Sequence, residues 1–174
     1  MVSFPEASIF AEMTRAPVSR ARGSRRRYPL RVVQRVTPYL LYSDAAAALD
    51  YLGRVFGLRQ TLRFTGADGR VSHAEMEFPD GGGIMLGAPG DEYRNPLAVG
   101  GPTVLIHVYV DDVDAHYEAA RRAGAAIERE LADQPYGDRS YAAVDPEGHQ
   151  WFFATKVEEV DPEDWGAVSA TGTD

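Results

Sequence analysis

DAAAALDYLGRVFG, residues 44–57, and DDVDAHYEAARRAG, residues 111–124, read as one helix written twice. In the first, Leu49, Leu52 and Phe56 recur at helical spacing, Ser43 is placed to cap the N-terminus, and Gly57 stands where a left-handed C-terminal residue belongs. In the second, Asp112 is the expected cap, Val113, Tyr117 and Ala120 form the buried stripe, and Gly124 stops the helix. Asp44 and Asp111 are 67 residues apart, and so are Gly57 and Gly124.

The same offset organises the rest. Pro79-Asp80-Gly81 is a turn before the strand Ile84-Met85-Leu86, and Pro146-Glu147-Gly148 is a turn before Trp151-Phe152-Phe153. A strand is expected before each helix, over 36–42 and 104–110. Two alternating segments follow each helix, including 71–78 and 139–144. Each half therefore reads β-α-β-β-β, and Gly100-Gly101-Pro102 joins them. One half cannot cover both its helix face and its sheet edge, whereas two together can. The expected fold class is α+β, with two tandem modules forming a cupped mixed sheet and the helices outside it.

The 174 residues suit one domain, able to bury roughly 70% of the unfolded surface. There is no cysteine, which excludes disulfides, thiolate metal sites and cysteine nucleophiles. No apolar run approaches the roughly 20 residues that cross a bilayer, and no secretory segment follows Met1, so a cytoplasmic location is expected. The net charge of −8 is uneven: residues 1–36 hold eight arginines against Glu6 and Glu12, while residues 37–174 hold ten Lys and Arg against twenty-four Asp and Glu. The body repels nucleic acid and membranes, and neither is expected as a partner. The arginines of 20–27 read as a solvated block, so residues 1–32 are expected to be a disordered basic arm. Module one is placed at 33–99, module two at 100–157, and a loose C-terminal tail at 158–174, where Trp165 is the residue able to dock.

Val36-Thr37-Pro38-Tyr39-Leu40, Ser72-His73-Ala74-Glu75, Gly137-Asp138-Arg139 and Asp145-Pro146-Glu147-Gly148-His149-Gln150-Trp151 together resemble the vicinal oxygen chelate superfamily. This is the group of glyoxalase I, bleomycin-resistance and fosfomycin-resistance proteins and extradiol dioxygenases, and these motifs are most similar to its PhnB-like branch. The resemblance covers roughly residues 33–157. It implies two ligand-bearing strands per module. The metal-ligand positions of the metal-using members fall near Thr37, Met85, Leu105 and Phe152, and a slip of one residue offers only Val104, Leu86 and Phe153. None of these holds a divalent cation in an oxygen or nitrogen shell, so no metal and no cofactor are expected. The resemblance also implies pairing as a homodimer, and open sheet edges favour it.

Strand parity then selects candidates. In 72–78, Ala74, Met76 and Phe78 form the apolar face, which leaves His73, Glu75 and Glu77 on the concave one. Leu105, His107 and Tyr109 share the matching face of module two. His73, Glu75 and His107 are the weak catalytic candidates: a relocated metal site or an acid–base pair if they meet across the cup, polar liners of a wet cavity otherwise. Tyr39, Met85, Leu105, His107, Tyr109 and Phe152 are the candidate ligand-binding residues, a lining suited to a small organic molecule unless the side chains fill the space themselves. His116, among charged neighbours, is expected to be exposed, and His149 to stabilise its turn. Asp111, Asp112 and Asp114 lack the glycine and distal glutamate of a calcium loop, so helix capping is their expected role. Three readings remain: a glyoxalase/bleomycin-resistance-like protein that binds a small organic molecule in a metal-free cavity, a lyase or dioxygenase-type enzyme with an atypical site around His73, Glu75 and His107, and a regulatory or interaction protein that uses the arginine arm.

Overall fold

A computed structural model of the protein describes residues 34, 36–88, 90 and 93–168. The basic arm at 1–32 lies outside the described residues, as do positions 169–174 of the C-terminal tail. Module one runs β1 (Tyr39–Leu41), α1 (Ala45–Phe56), β2 (Arg59–Thr65), β3 (Val71–Glu77) and β4 (Gly83–Gly87). A short helix, α2 (Pro96–Val99), leads into module two: β5 (Leu105–Tyr109), α3 (Val113–Arg122), β6 (Ala126–Asp133), β7 (Asp138–Val144) and β8 (Gln150–Lys156). The two sheets share one order, β1-β4-β3-β2 and β5-β8-β7-β6. The first pair in each is parallel and the others are antiparallel, so the architecture is the expected α+β repeat.

Local chemistry sets the boundaries. Asp44, not Ser43, caps α1: the helix begins at Ala45, so the Asp44 carboxylate is the one that reaches the Ala47 amide, at 3.0 Å. Ser43 instead accepts from Asn95 Nδ2 at 2.9 Å. Asp112 caps α3 through the Ala115 amide at 2.9 Å. β1 starts at Tyr39 rather than Val36, which is 80% exposed. Pro38 has no N–H to give a ladder, although its carbonyl still accepts from Met85 N at 2.9 Å.

The helices cover one face of each sheet, and the two covered faces merge into one core. Ala74, Met76, Ile84 and Leu86 of module one and Tyr141, Ala143, Trp151 and Phe153 of module two belong to it, with Leu52, Phe56, Val113 and Ala120 from the helices. Phe56 ties the modules, its ring 5.4 Å from Trp151 and 5.0 Å from Phe153. Each of the larger aliphatic and aromatic side chains among them stabilises by roughly 1.5–3 kcal/mol.

His116 departs from its expected exposure. Its Nε2 donates to the Phe56 carbonyl at 3.1 Å, its Nδ1 accepts from the Tyr141 hydroxyl at 2.7 Å, and its ring lies 4.3 Å from Phe153. The helix face looks polar in isolation, but α3 packs across the end of α1, so that face meets the other module. Burial pulls the His116 pKa below its ordinary value. Beyond β8, the amides of Val157 and Glu158 donate to the Gly137 carbonyl, and a 3-10 turn (Pro162–Trp165) sets Trp165 5.9 Å from the Tyr136 ring. Among the described residues no helix is long and apolar enough to cross a membrane.

Candidate functional site

Because the core takes one face of each sheet, the residues of opposite parity are left on the other. In module one, Tyr39, Met85 and Glu75 form one row across β1, β4 and β3 through the pairs Tyr39↔Met85 and Glu75↔Met85. A cavity of about 610 Å³ opens on this face, lined by Thr37, Thr61, Glu75, Glu77 and Met85, with Gln34 at its edge. Gln34 accepts from the Gly83 amide at 2.9 Å, and Glu77 pairs with Arg59.

His73 is buried beside this row. Its Nδ1 lies 3.1 Å from the Tyr39 hydroxyl, and its Nε2 lies 3.6 Å from Glu75 Oε1. Tyr39 in turn donates to the Ser72 carbonyl at 3.3 Å. That hydroxyl proton is thus committed, and the contact with His73 requires the proton on Nδ1. Burial, reinforced by Tyr93, pushes the Tyr39 hydroxyl up to about 12. Gly87 makes this packing possible: a Cβ there would stand 2.2 Å from the Ser72 carbonyl and 2.8 Å from the Tyr39 hydroxyl.

Module two presents a different face. His107 pairs with Phe152, which pairs with Ala142; Tyr109 pairs with Ala154, which pairs with Ser140. The buried Ala142 and Ala154 give a low floor, and the large side chains stand up from it. His107 stacks on Phe152 with 6° between the ring planes and 6.4 Å between centroids, and Arg129 lies 5.5 Å above the Phe152 ring. Leu105 is 56% exposed and Tyr109 58%. The Tyr109 hydroxyl donates to Asp138 Oδ2 at 2.9 Å, which raises its pKa, with burial adding to the effect. Asp138 is only 2% exposed; Lys156 Nζ stands 3.7 Å from its Oδ1, which accepts no hydrogen bond among the described residues.

The chain therefore brings His73 and Glu75 together, and sets His107 on the other sheet among Tyr109 and Phe152. Thr37, Met85, Leu105 and Phe152 supply one hydroxyl, one thioether and two hydrocarbons, a set unfit for a divalent cation. Among the described residues no group of three or more His, Asp or Glu is placed to hold a metal ion. His149 acts inside its turn, its amide and ring on Asp145 at 3.0 and 3.2 Å. Sequence reasoning missed Asp138 and Arg129. Alternation along Asp138, Ser140 and Ala142 carried the signal for the first. The irregular register of β6, shifted between Ile127 and Arg129, hid the second.

The architecture and these faces have relatives. The family model for the Glyoxalase/Bleomycin resistance protein/Dioxygenase superfamily matches residues 33–153. An uncharacterized protein of Mycobacterium bovis is 35% identical over 143 residues, spanning 79% of this chain and 93% of its own. The crystal structure of TioX from Micromonospora sp. ML1 is 36% identical with a TM-score of 0.57, covering 72% of this chain and 100% of that one. TnmS3, an antibiotic binding protein from Streptomyces sp. CB03234, shares the fold at 20% identity and a TM-score of 0.55, covering 72% of this chain and 98% of its own. With the repeated β-α-β-β-β topology and the match over both modules, the chain belongs to the glyoxalase/bleomycin resistance protein/dioxygenase superfamily.

Proposed function

We propose that the protein binds a small organic molecule, without a metal or other cofactor, in a cup built from the open sheet faces, and that two copies assemble into a homodimer to close it. The observation that carries this reading is the face of module two, where Leu105, His107, Tyr109 and Phe152 stand exposed or half-exposed over a floor of buried alanines. Large side chains rising from a low floor leave room for a flat apolar ligand. Tyr39 and Met85 on the face of module one supply a second wall. TioX and TnmS3 support the reading as relatives of the same fold, and TnmS3, an antibiotic binding protein, gives the ligand class its precedent.

The motifs around Thr37, Glu75, Asp138 and His149 support placement in the PhnB-like branch. A cytoplasmic location belongs to the same reading. The exposed Leu105 and Tyr109, beside Val104 at 61% exposure, favour the homodimer, since apolar surface of this kind gains by being covered. The second reading, a lyase or dioxygenase-type enzyme, rests on the His73–Glu75 approach of 3.6 Å and on His107 joining it from another copy.

One experiment separates the readings. Purified protein is analysed for metals and screened by thermal shift against zinc, nickel, manganese, iron and a panel of flat aromatic compounds. The binding reading expects no stoichiometric metal, no metal shift, and an aromatic hit weakened by Tyr109→Ala and Phe152→Ala. A bound metal stabilises by roughly 2.7 kcal/mol at a hundredfold excess over its Kd. One equivalent of metal, lost in His73→Ala and His107→Ala, would replace the binding reading with the enzyme. A monomer mass by light scattering would remove the homodimer.

A further inference from the structure

At the far end of β1 and β4 lies a second cavity, of about 300 Å³, lined by residues that include Ser43, Arg70, Tyr93, Arg94 and Asn95. It shares no lining residue with the 610 Å³ cavity and does not depend on the ligand reading above. Its polar groups are donors. Ser43 Oγ accepts from Asn95 Nδ2 at 2.9 Å, which leaves its own proton to give. Asn95 is fixed on both sides, its Oδ1 accepting from Ala98 N at 2.9 Å and its Nδ2 also donating to Glu147. The nearby Glu147 is occupied, taking the amides of Ser43 and Asp44 as well, at 2.6 and 2.9 Å.

The arginines carry the inference. Arg59, Arg121 and Arg139 each pair with a carboxylate, Arg54 donates to the Ala123 carbonyl, Arg63 to Thr65, and Arg129 lies on Phe152. Among the described residues the guanidinium groups of Arg70, Arg94 and Arg122 have no such partner, and the first two line this one cavity. Residues 37–174 hold twenty-four Asp and Glu, so a shortage of carboxylates does not explain it. Arg70 is held in place by its hairpin: its amide donates to Asp68 Oδ1 at 3.0 Å and its carbonyl accepts from Gly66 N at 2.8 Å. A planar guanidinium fork matches an oxyanion in two bonds at once, and the volume is at the small end of ligand sites.

We propose that this cavity is a binding site for a small molecule bearing an oxyanion, a phosphate or a carboxylate, held by Arg70 and Arg94 with the Ser43 and Tyr93 hydroxyls as further donors. The test titrates the full-length protein with inorganic phosphate and, separately, with acetate, at constant ionic strength set by chloride, following binding by calorimetry. Arg70→Gln and Arg94→Gln are each expected to weaken binding at least about tenfold, as loss of a charge-assisted pair requires. Their melting temperatures should match the parent, and Arg70→Lys should recover part of the affinity. Arg122→Gln, an exposed arginine outside the cavity, is expected to change nothing. Phosphate outbinding acetate assigns a phosphate-bearing ligand, and the reverse a carboxylate. The proposal is overturned if neither ion binds with a Kd below about 10 mM, or if Arg122→Gln weakens binding as much. It is equally overturned if binding appears only in Asp91→Asn/Glu92→Gln, because the chain's own carboxylates would then be the match for the arginines.

Discussion

The turn at 78–83 and the turn at 145–150 occupy the same place in the repeat and do opposite work. In module two, the Asp145 carboxylate is buried and accepts from the Tyr42 hydroxyl at 2.6 Å, Trp151 Nε1 at 3.2 Å and the amides of Glu147 and His149, both at 3.0 Å. Two of the elements it joins belong to different modules, so this turn is a clamp. In module one the corresponding residue is Phe78, and Ile84 stands where Trp151 stands. Phe78 packs into the core 6.5 Å from Trp151, and the Gly81-Gly82-Gly83 run after it lines the 610 Å³ cavity. Duplication kept the backbone in both halves. The side chains then divided the labour, one copy securing the seam and the other opening space.

The comparison breaks most sharply if the two turns are exchangeable. Phe78→Asp places a carboxylate among the core side chains in place of a buried ring, and is expected to destabilise by about 5 kcal/mol or to prevent folding. Unchanged urea denaturation would show that the turns are equivalent after all. Asp145→Ala is the reciprocal change. It leaves the Tyr42 hydroxyl and the Trp151 N–H buried without an acceptor and should lower stability by about 3 kcal/mol in the same measurement.

The pH dependence sharpens this further. Burial alone would raise the Asp145 pKa, but the bonds from His149, Tyr42 and Trp151 outweigh it and hold the group below its ordinary 3.8. Its contribution is therefore complete above pH 3.8 and is lost as pH falls through the lower folded value. Asp145→Asn should remove that acid-dependent component from the stability curve. Glu147→Gln weakens the hold on Ser43, Asp44 and Asn95 and is expected to lower stability by about 1 kcal/mol. The smallest effect lies at His116, which takes the repeat position of Leu49. The imidazole is kept neutral chiefly by burial, so its contribution is present above pH 6.5 and declines as pH falls below that. Calorimetric melting between pH 7 and pH 5 should show the decline in the parent and not in His116→Gln.

Much of this was legible in the chain. The 67-residue offset, the helix stops at Gly57 and Gly124, and the alternation of Ala74, Met76 and Phe78 against His73, Glu75 and Glu77 led to the modules and to the faces of their strands. Local patterns carry such information because a helix repeats every 3.6 residues and a strand every two. Three points resisted. Ser43 and Asp44 are both good caps, and only the helix start chooses between them. His116 lies among charges along the helix, yet it faces a carbonyl sixty positions earlier, at Phe56. Asp138 sat inside a recognised motif without any sign that Tyr109 would bond to it.

The sequence by itself determined the duplicated β-α-β-β-β plan, the parity of the strands and the absence of cysteine chemistry, because each follows from residue type and spacing within one segment. Only the tertiary structure decided how the modules meet: that Phe56 joins Trp151 and Phe153, that Asp145 reaches Tyr42, that His107 stands apart from His73, and that Arg70 and Arg94 share a cavity. Those partners lie in different segments of the chain, and no local period specifies which groups a folded core will bring within bonding distance.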